Sequence, residues 1–487
     1  MARSDYFFSF AAEKLNLEIF MTSIIVILFI IVGYACIALE SGLKVNKTAV
    51  ALLMCVLCWV LYMVDCGVYV PQFYPEEFSK FCAESFGGTT AELSRAFASE
   101  HLLLNHLGDA CEIIFFLMGA MTIVEIVDSN GGFNFVRERL GTRNKRALLW
   151  RIVLMTFFLS AILDNLTTSI VMIMVLRKLV ADHKERMIFA AMVILAANSG
   201  GAFSPIGDVT TIMLWIKGNI STLGVIKEVF LPSIASVVVP ALILQFKLKG
   251  ELVPAGADTQ MTSAQHFSAL QRQWVFWVGV GGLMLVPIFR TLTGLPPFMG
   301  ILLVLSVLWI MTELFYSRKK DIETTTQQRV SNLLHRIDMT TILFFLGILM
   351  TVGVLAEIGV LGEFGKWLDN VSNHNAYLVT GIIGVVSSIV DNVPLVASCM
   401  GMYDIAPLTV TDPTLLNFVQ DGVFWQLLAY CAGVGGSILI IGSAAGVVVM
   451  GLEKISFGWY LRHISWIAFL GYLAGIIVYW LEKSFLF

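Results

Sequence analysis

The chain has 487 residues, 57% of them hydrophobic and only 14% charged, with a formal net charge of -4 at pH 7. A soluble chain so rich in Leu, Ile, Val and Phe cannot cover its surface with polar groups, and several apolar runs reach the roughly 20 residues that cross about 30 Å of hydrocarbon. Soluble classes are therefore excluded, the expected partner is membrane lipid rather than nucleic acid, and charge matters by location rather than by sum.

In chain order, a short N-terminal segment (1–16) precedes the first run, Leu17–Leu39. That run has some character of a secretion signal, but it is too long and lacks a small-x-small cleavage site, so it reads as a retained helix. Val50–Val70 forms a second crossing. Pro71–Ser99, with Glu76, Glu77, Glu84 and Glu92, reads as a long external loop. The third crossing carries His106 near its start, then Glu112 and Glu125. Glu112, where the apolar stretch begins, is a candidate site residue. Glu125 is expected to be solvated or ion-paired beside Arg137 or Arg139, and His101 and His106 to pack at the surface. Most of the eight cysteines lie in apolar runs, where Cys behaves as a small apolar residue. Cys55 and Cys58 form a C-x-x-C with no second pair or nearby His, so no metal site is read there.

Ala147–Leu163 and Leu166–Leu176 flank Asp164-Asn165, and both outer ends are basic, so this segment reads as a re-entrant hairpin with its ends on one face. Ionisable groups at membrane depth are costly and mark function by default. Asp164 is followed by Asn165 and Thr167, and Ser160 lies one turn earlier on the same helical face. The alternative role for such an Asp is a helix cap at the hairpin tip. Next comes Ala197-Asn-Ser-Gly-Gly-Ala-Phe-Ser-Pro-Ile-Gly-Asp-Val-Thr-Thr211, where glycines and Pro205 break a helix that is otherwise apolar from Met187 to Ile216. Asn198, Ser204, Asp208, Thr210 and Thr211 crowd the break with oxygen ligands, which hard cations prefer. A fifth crossing leads to the polar linker, residues 247–272.

The second half repeats the first. Ile113-Ile-Phe-Phe-Leu117 returns as Ile342-Leu-Phe-Phe-Leu346, Ser160 to Asn165 as Ser387 to Asn392, and Gly200-Gly201 with Gly207 as Gly435-Gly436 with Gly442, at offsets of 229, 227 and 235. The chain is read as a duplicated unit, 17–246 and 273–481. Five crossings plus a hairpin per repeat is an odd number, so the second repeat is inverted. Basic residues agree: 21 Lys and Arg fall inside against 9 outside, leaving Arg151 at a helix start. The expected fold is thus an all-α polytopic membrane protein with ten crossings, two hairpins and discontinuous helices at an ion site. That site is asymmetric. Asp164 and Asp208 come from the first repeat and Asp391, with Asn392 and Ser387, from the second, because the second break (Gly433–Gly446) has Ser437 and Ser443 but no carboxylate. Asp338 and Glu357 read as helix caps.

At the two Asp-Asn hairpins and the long Gly-Pro break, the sequence resembles NhaD-type bacterial sodium/proton antiporters, relatives of arsenite permeases and dicarboxylate carriers. The resemblance spans about 17–481. It implies exchange of cytoplasmic sodium or lithium for external protons in the bacterial inner membrane, with these ions as cargo and no cofactor. It also implies a homodimer whose transport domain moves past a scaffold. The family's polar residues carry over to Glu112, Ser160, Asp164, Asn165, Thr167, Asp208, Thr210, Thr211, Ser387, Asp391 and Asn392, with Ser437 as a further match. Protons and sodium would then compete for Asp164, Asp208 and Asp391.

Three other readings compete. An anion or dicarboxylate carrier of the same fold needs positive potential at the site, yet no Lys or Arg lies near either break. A channel would conduct without saturable exchange. A membrane enzyme needs a nucleophile with a base, a metal-spaced His/Cys set or a phosphate loop, and none is seen.

Overall fold

The computed structural model describes residues 22–37, 44–85, 87–132, 140, 142–248, 250–252, 267–317, 330–389, 392–410, 412 and 414–485. Asp391, Arg137, Arg139 and most of the 247–272 linker lie outside them. Among the described residues the chain is helical, with two isolated β-bridges and no strand. The helices are α1 (Thr22–Ile37), α2 (Lys47–Phe73), α3 (Pro75–Glu84), α4 (Thr90–Ser129), α5 (Lys145–Leu163) and α6 (Asn165–Leu179). They continue as α7 (His183–Ala202), α8 (Val209–Ile216), α9 (Thr222–Gln245), α10 (Ala269–Thr293), α11 (Pro297–Ser317) and α12 (Met339–Glu357). Last come α13 (Val360–Val371), α14 (Ala376–Ser387), α15 (Asn392–Met402), α16 (Val423–Gly435), α17 (Ala444–Glu453) and α18 (Phe457–Phe485).

Hydrocarbon offers the backbone no hydrogen-bond partners, so a spanning segment must satisfy its own. Eight of these helices are long and apolar enough to cross: α2, α4, α5, α9, α10, α11, α12 and α18. The ten expected crossings and these eight helices differ for a local reason. The fourth crossing of each half is two helices in tandem divided by a break, α7–α8 and α16–α17, and the first is described only over Thr22–Ile37. The limb before Asp164 is itself a 19-residue helix. α2 shows the lipid signature: Met54, Cys58, Tyr62 and Cys66 are buried, while Leu53, Val56, Val60 and Val64 on the opposite face are exposed and just as apolar.

The chain forms two compact units. The first holds residues 1–114, 338–370 and 397–404. In it, α2 and α12 touch backbone to backbone at Gly347, where a Cβ would stand 2.8 Å from the Ala51 carbonyl carbon, and Trp59 Nε1 donates to the Met350 carbonyl at 3.0 Å. The stretch read as an external loop is largely helical here. Pro75 opens α3 with Glu76 and Glu77 in its first turn, favourable for the helix dipole. Thr89 and Glu92 form a capping box that starts α4. Asp338 caps α12 as expected, through Thr340 N and Thr341 N. Glu357 is not a cap: its Oε1 lies 2.8 Å from His106 Nε2 and accepts from the Tyr74 hydroxyl, so His106 is a hydrogen-bond partner of a buried carboxyl rather than surface packing.

The second unit holds residues 115–337, 371–396 and 405–487, and with them both breaks. Glu125 is ion-paired as expected, though to Arg336 among the described residues. Asp182 caps α7; the Glu185 N–H holds its carboxyl below the usual carboxylate range. The glycine pairs read as breakers have another task. Gly200 and Gly201 lie inside α7, and Gly435 closes α16; the breaks themselves are 203–208 and 436–443. A Cβ on Gly200 would fall on the Phe157 carbonyl oxygen of α5, and one on Gly435 on the Gly384 carbonyl oxygen of α14. Ser160 Oγ donates to Ala197 O at 2.6 Å, and Ser387 Oγ to Ala432 O at 3.0 Å. These contacts recur at the offsets of the sequence repeat.

Overpacking against backbone typically costs about 1–3 kcal/mol because a carbonyl cannot rotate aside. Gly435→Ala should lower the melting temperature of the purified protein in detergent. Gly451→Ala, where a Cβ meets nothing within 4 Å, should leave it nearly unchanged.

Candidate functional site

Asp164 sits between α5 and α6 at φ 81, ψ 157, a left-handed backbone region costly for a side chain other than glycine. The conformation ends one helix and starts the next, and the side chain caps the new start: Oδ1 accepts from Thr167 N and Oδ2 from Thr167 Oγ1, both at 2.8 Å. Thr167 therefore orients the Asp164 carboxylate.

Asp208 does the same for α8 in extended backbone (φ -145, ψ 146), Oδ1 accepting from Thr210 N at 3.0 Å and Thr210 Oγ1 at 3.1 Å. Its Oδ2 accepts from Asn165 Nδ2 at 2.8 Å. The same amide reaches Asn198 Oδ1 at 3.1 Å, and Asn198 Nδ2 reaches Ser437 Oγ and Ser443 Oγ, each at 2.9 Å. Ser443 in turn caps α17, accepting from Gly446 N at 3.1 Å. Both breaks and the start of α6 are thus joined by one polar network whose members are almost wholly buried; Asp208 is 1% exposed and Asn198 0%. Thr211 is tied to the Asp208 carbonyl at 2.8 Å and shapes the turn rather than the network. The far end of α8 is held too. Arg290 NH1 donates to the Trp215 carbonyl at 2.6 Å and its guanidinium lies 4.8 Å over the Trp215 ring.

Of the residues expected at the site, Asn165, Asn198, Asp208, Thr210 and Ser437 meet in the network. Asp164 and Thr167 stand beside it at the turn that presents Asn165. Ser160 and Ser387 bond to carbonyls of α7 and α16 and clamp the helices that carry the breaks. Asn392 opens α15 and is buried. Asp391 lies outside the described residues. Glu112 is half-buried on α4 in the first unit, and no hydrogen bond joins it to this network among the described residues.

Ser443, named with the second break but not among the expected site residues, joins the network as well. The signal was present: Ser443 lies 235 residues after Asp208, the offset of the glycines, and shares its backbone conformation (φ -141, ψ 150). Gly433 is a second addition; a Cβ there would stand 3.6 Å from Asp208 Oδ2, so its lack of a side chain leaves room beside the carboxylate. Chemically, the network gathers carboxylate, amide and hydroxyl oxygens of the kind that replace water around a hard cation.

Removing one partner from a buried network leaves the others unsatisfied, at about 1–3 kcal/mol per group. Asn198→Leu, which takes one acceptor from Asn165 Nδ2 and the amide donor from both Ser437 Oγ and Ser443 Oγ, should lower thermal stability more than Ser443→Ala, which loses one cap worth about 1 kcal/mol. Thermal unfolding of the purified variants in detergent checks the order.

The citrate-transporter family matches residues 26–420. Sodium/proton antiporter 2 of Arabidopsis thaliana is 43% identical, over 93% of this chain and 98% of its own length. Sodium/proton antiporter 1 of the same plant is 45% identical over 92% of this chain and 70% of its own. The sodium/proton antiporter NhaD of Vibrio cholerae is 29% identical over 93% of this chain and 90% of its own. Among solved structures, the YdaH transporter of Alcanivorax borkumensis superposes with a TM-score of 0.54 at 11% identity, covering 89% of this chain and 98% of that one, a likeness of fold.

Proposed function

The chain belongs to the citrate-transporter family and, within it, to the NhaD-type sodium/proton antiporters, and from that membership we propose that it expels cytoplasmic sodium or lithium against inward protons through the Asp208 network. The observation that carries this reading is the buried Asp208 carboxylate, linked through Asn165 and Asn198 to the serines of the second break. One charge with neutral oxygen donors suits one small cation. Deprotonated, the carboxylates accept sodium; protonated, they release it. Inward protons then drive sodium outward, and the membrane potential adds about 2.3 kcal/mol per net charge per 100 mV.

Asp164 takes the second carboxylate role, set at the turn that places Asn165, and Asp391 the third. The recurrence of glycine, serine and cap contacts at offsets of 227 and 235 supports a duplicated unit, whose inversion rests on the basic residues and the odd number of crossings, with the asymmetry of Asp208 against Ser443 confining charge to one break. A homodimer in a bacterial cytoplasmic membrane completes the reading, although plant relatives share more of the sequence than the bacterial ones reported above; exchange itself asks only for a membrane holding a proton gradient.

The family's description names citrate, so an anion is the second reading to test. A buried carboxylate at the network opposes it, since an anion there would meet like charge. In proteoliposomes carrying a proton gradient, sodium and lithium should dissipate the gradient while potassium and citrate should not. Asp208→Asn and Asp164→Asn should each abolish the signal while still reaching the membrane. Wild-type rates from both would overturn the assignment, and citrate uptake with no response to cations would overturn the substrate. Competition also predicts a pH law: the apparent KM for sodium should rise as pH falls, by up to about tenfold per unit for one proton, with the maximum rate unchanged. A KM independent of pH from 6 to 9 would exclude a shared site.

A further inference from the structure

Three helices leave the polar network and meet again at their far ends. α6 begins at Asn165 and carries Arg177 twelve residues on; α7 carries Arg186 and, twelve residues on, Asn198; α17 follows Ser443 and ends at Glu453, ten residues on. At 1.5 Å per residue these rods are about 18, 18 and 15 Å long, and all three pack on one another. At the far end, the Glu453 side chain is 0% exposed and holds two arginines: Arg177 Nε at 2.7 Å and Arg186 Nε at 2.6 Å. Arg177 also donates to the Leu452 carbonyl, and His183 Nε2 donates to the Glu453 carbonyl at 2.7 Å. Arg186 NH1 donates to the Val180 carbonyl at 3.0 Å, closing the turn between α6 and α7.

We infer that the Glu453–Arg177–Arg186 clasp is a positioning element for the ion site, fixing how far α17 advances along α6 and α7 and so where Ser443 meets Asn198. A ten-residue helix has little hold of its own in a membrane. Its N-terminus is fixed by Ser443 and its C-terminus by the clasp, so the axial position of Ser443 depends on Glu453. Removing one partner of a buried ion pair leaves the other charge uncompensated. Here that strain falls on two arginines that begin and end the helices carrying the network amides. Glu453 touches no network atom; it acts through α17. A serine displaced by a fraction of an ångström weakens the cation's oxygen shell, as loss of outer supporting bonds weakens metal sites.

The inference rests on the proposed exchange at Asp208, and its test separates the two. Sodium dependence of exchange is measured in proteoliposomes for the wild type, Asp208→Asn, Glu453→Gln, Glu453→Asp, Arg177→Gln and the control Lys366→Gln, whose exposed pair with Glu363 lies in the first unit. Glu453→Gln should raise the apparent KM for sodium about tenfold while the maximum rate per reconstituted molecule stays within about twofold. Glu453→Asp keeps the charge and should rescue most of the loss, and Lys366→Gln should match the wild type. Arg177→Gln leaves Arg186 on the carboxylate and should raise KM about threefold, so it decides the matter where Glu453→Gln fails to reach the membrane. A KM unchanged in both clasp variants, with only yield or maximum rate reduced, marks the clasp as merely structural and overturns the inference alone. A wild type that exchanges no sodium for protons, or an Asp208→Asn that exchanges normally, overturns the underlying reading and this inference with it.

Discussion

A carboxylate at membrane depth must find its hydrogen-bond donors inside the protein, because hydrocarbon supplies none. The chain meets this constraint by breaking helices. A helix that starts afresh exposes unsatisfied N–H groups, and a carboxylate placed at that start satisfies them and is satisfied in return. Asp164 and Asp208 both sit at such starts, each holding a backbone N–H and a threonine hydroxyl of the helix it opens. The break and the charge are therefore one feature: each would be costly without the other.

The two halves use the device unequally. Ser443 occupies the place of Asp208 with nearly the same backbone angles, yet brings a hydroxyl instead of a charge. Asn198 corresponds to Gly433, so an amide on one side faces an open space on the other. A symmetric pair of breaks would place two carboxylates together with a single small cation to divide between them. Here the second break contributes neutral oxygen from Ser437 and Ser443, and Gly433 keeps room beside the one carboxylate.

Much of this was legible in the sequence because polar residues stand out against apolar ones. Asn165, Asn198, Asp208 and Thr210 were visible for that reason, and so was the repeat. What was misread follows a pattern as well. Gly200 within α7 and Gly435 at the end of α16 serve close helix contact rather than breaking the helix, and a Gly pair a few residues before a break does not reveal where the helix ends. Glu357 was read as a cap because it ends a helix, and its partner His106 is 251 residues away, a distance no local pattern spans. The acidic stretch after Pro71 conceals α3 and the first turns of α4, although Thr89 and Glu92 carry the capping-box spacing that opens α4. Ser443 is visible in the second break as a hydroxyl, and its offset of 235 from Asp208 is what marks it as the counterpart of that carboxylate.

The same geometry limits how the network can open. Bending α17 away from α7 to open the network would break the Asn198 bonds to Ser437 and Ser443 at one end and strain the Glu453 clasp at the other. α8 is restrained in the same way, by Asp208 at its start and by Arg290 on its last carbonyls. Half-helices tied at both ends resist local opening, whereas moving them together with α6, α7, α10 and α16 leaves the network, the clasp and the Arg290 bonds intact. A network built on helices tied at both ends thus resists flexing of its parts. The buried hydrogen bonds that hold the network residues in place are the same ones that make this block rigid.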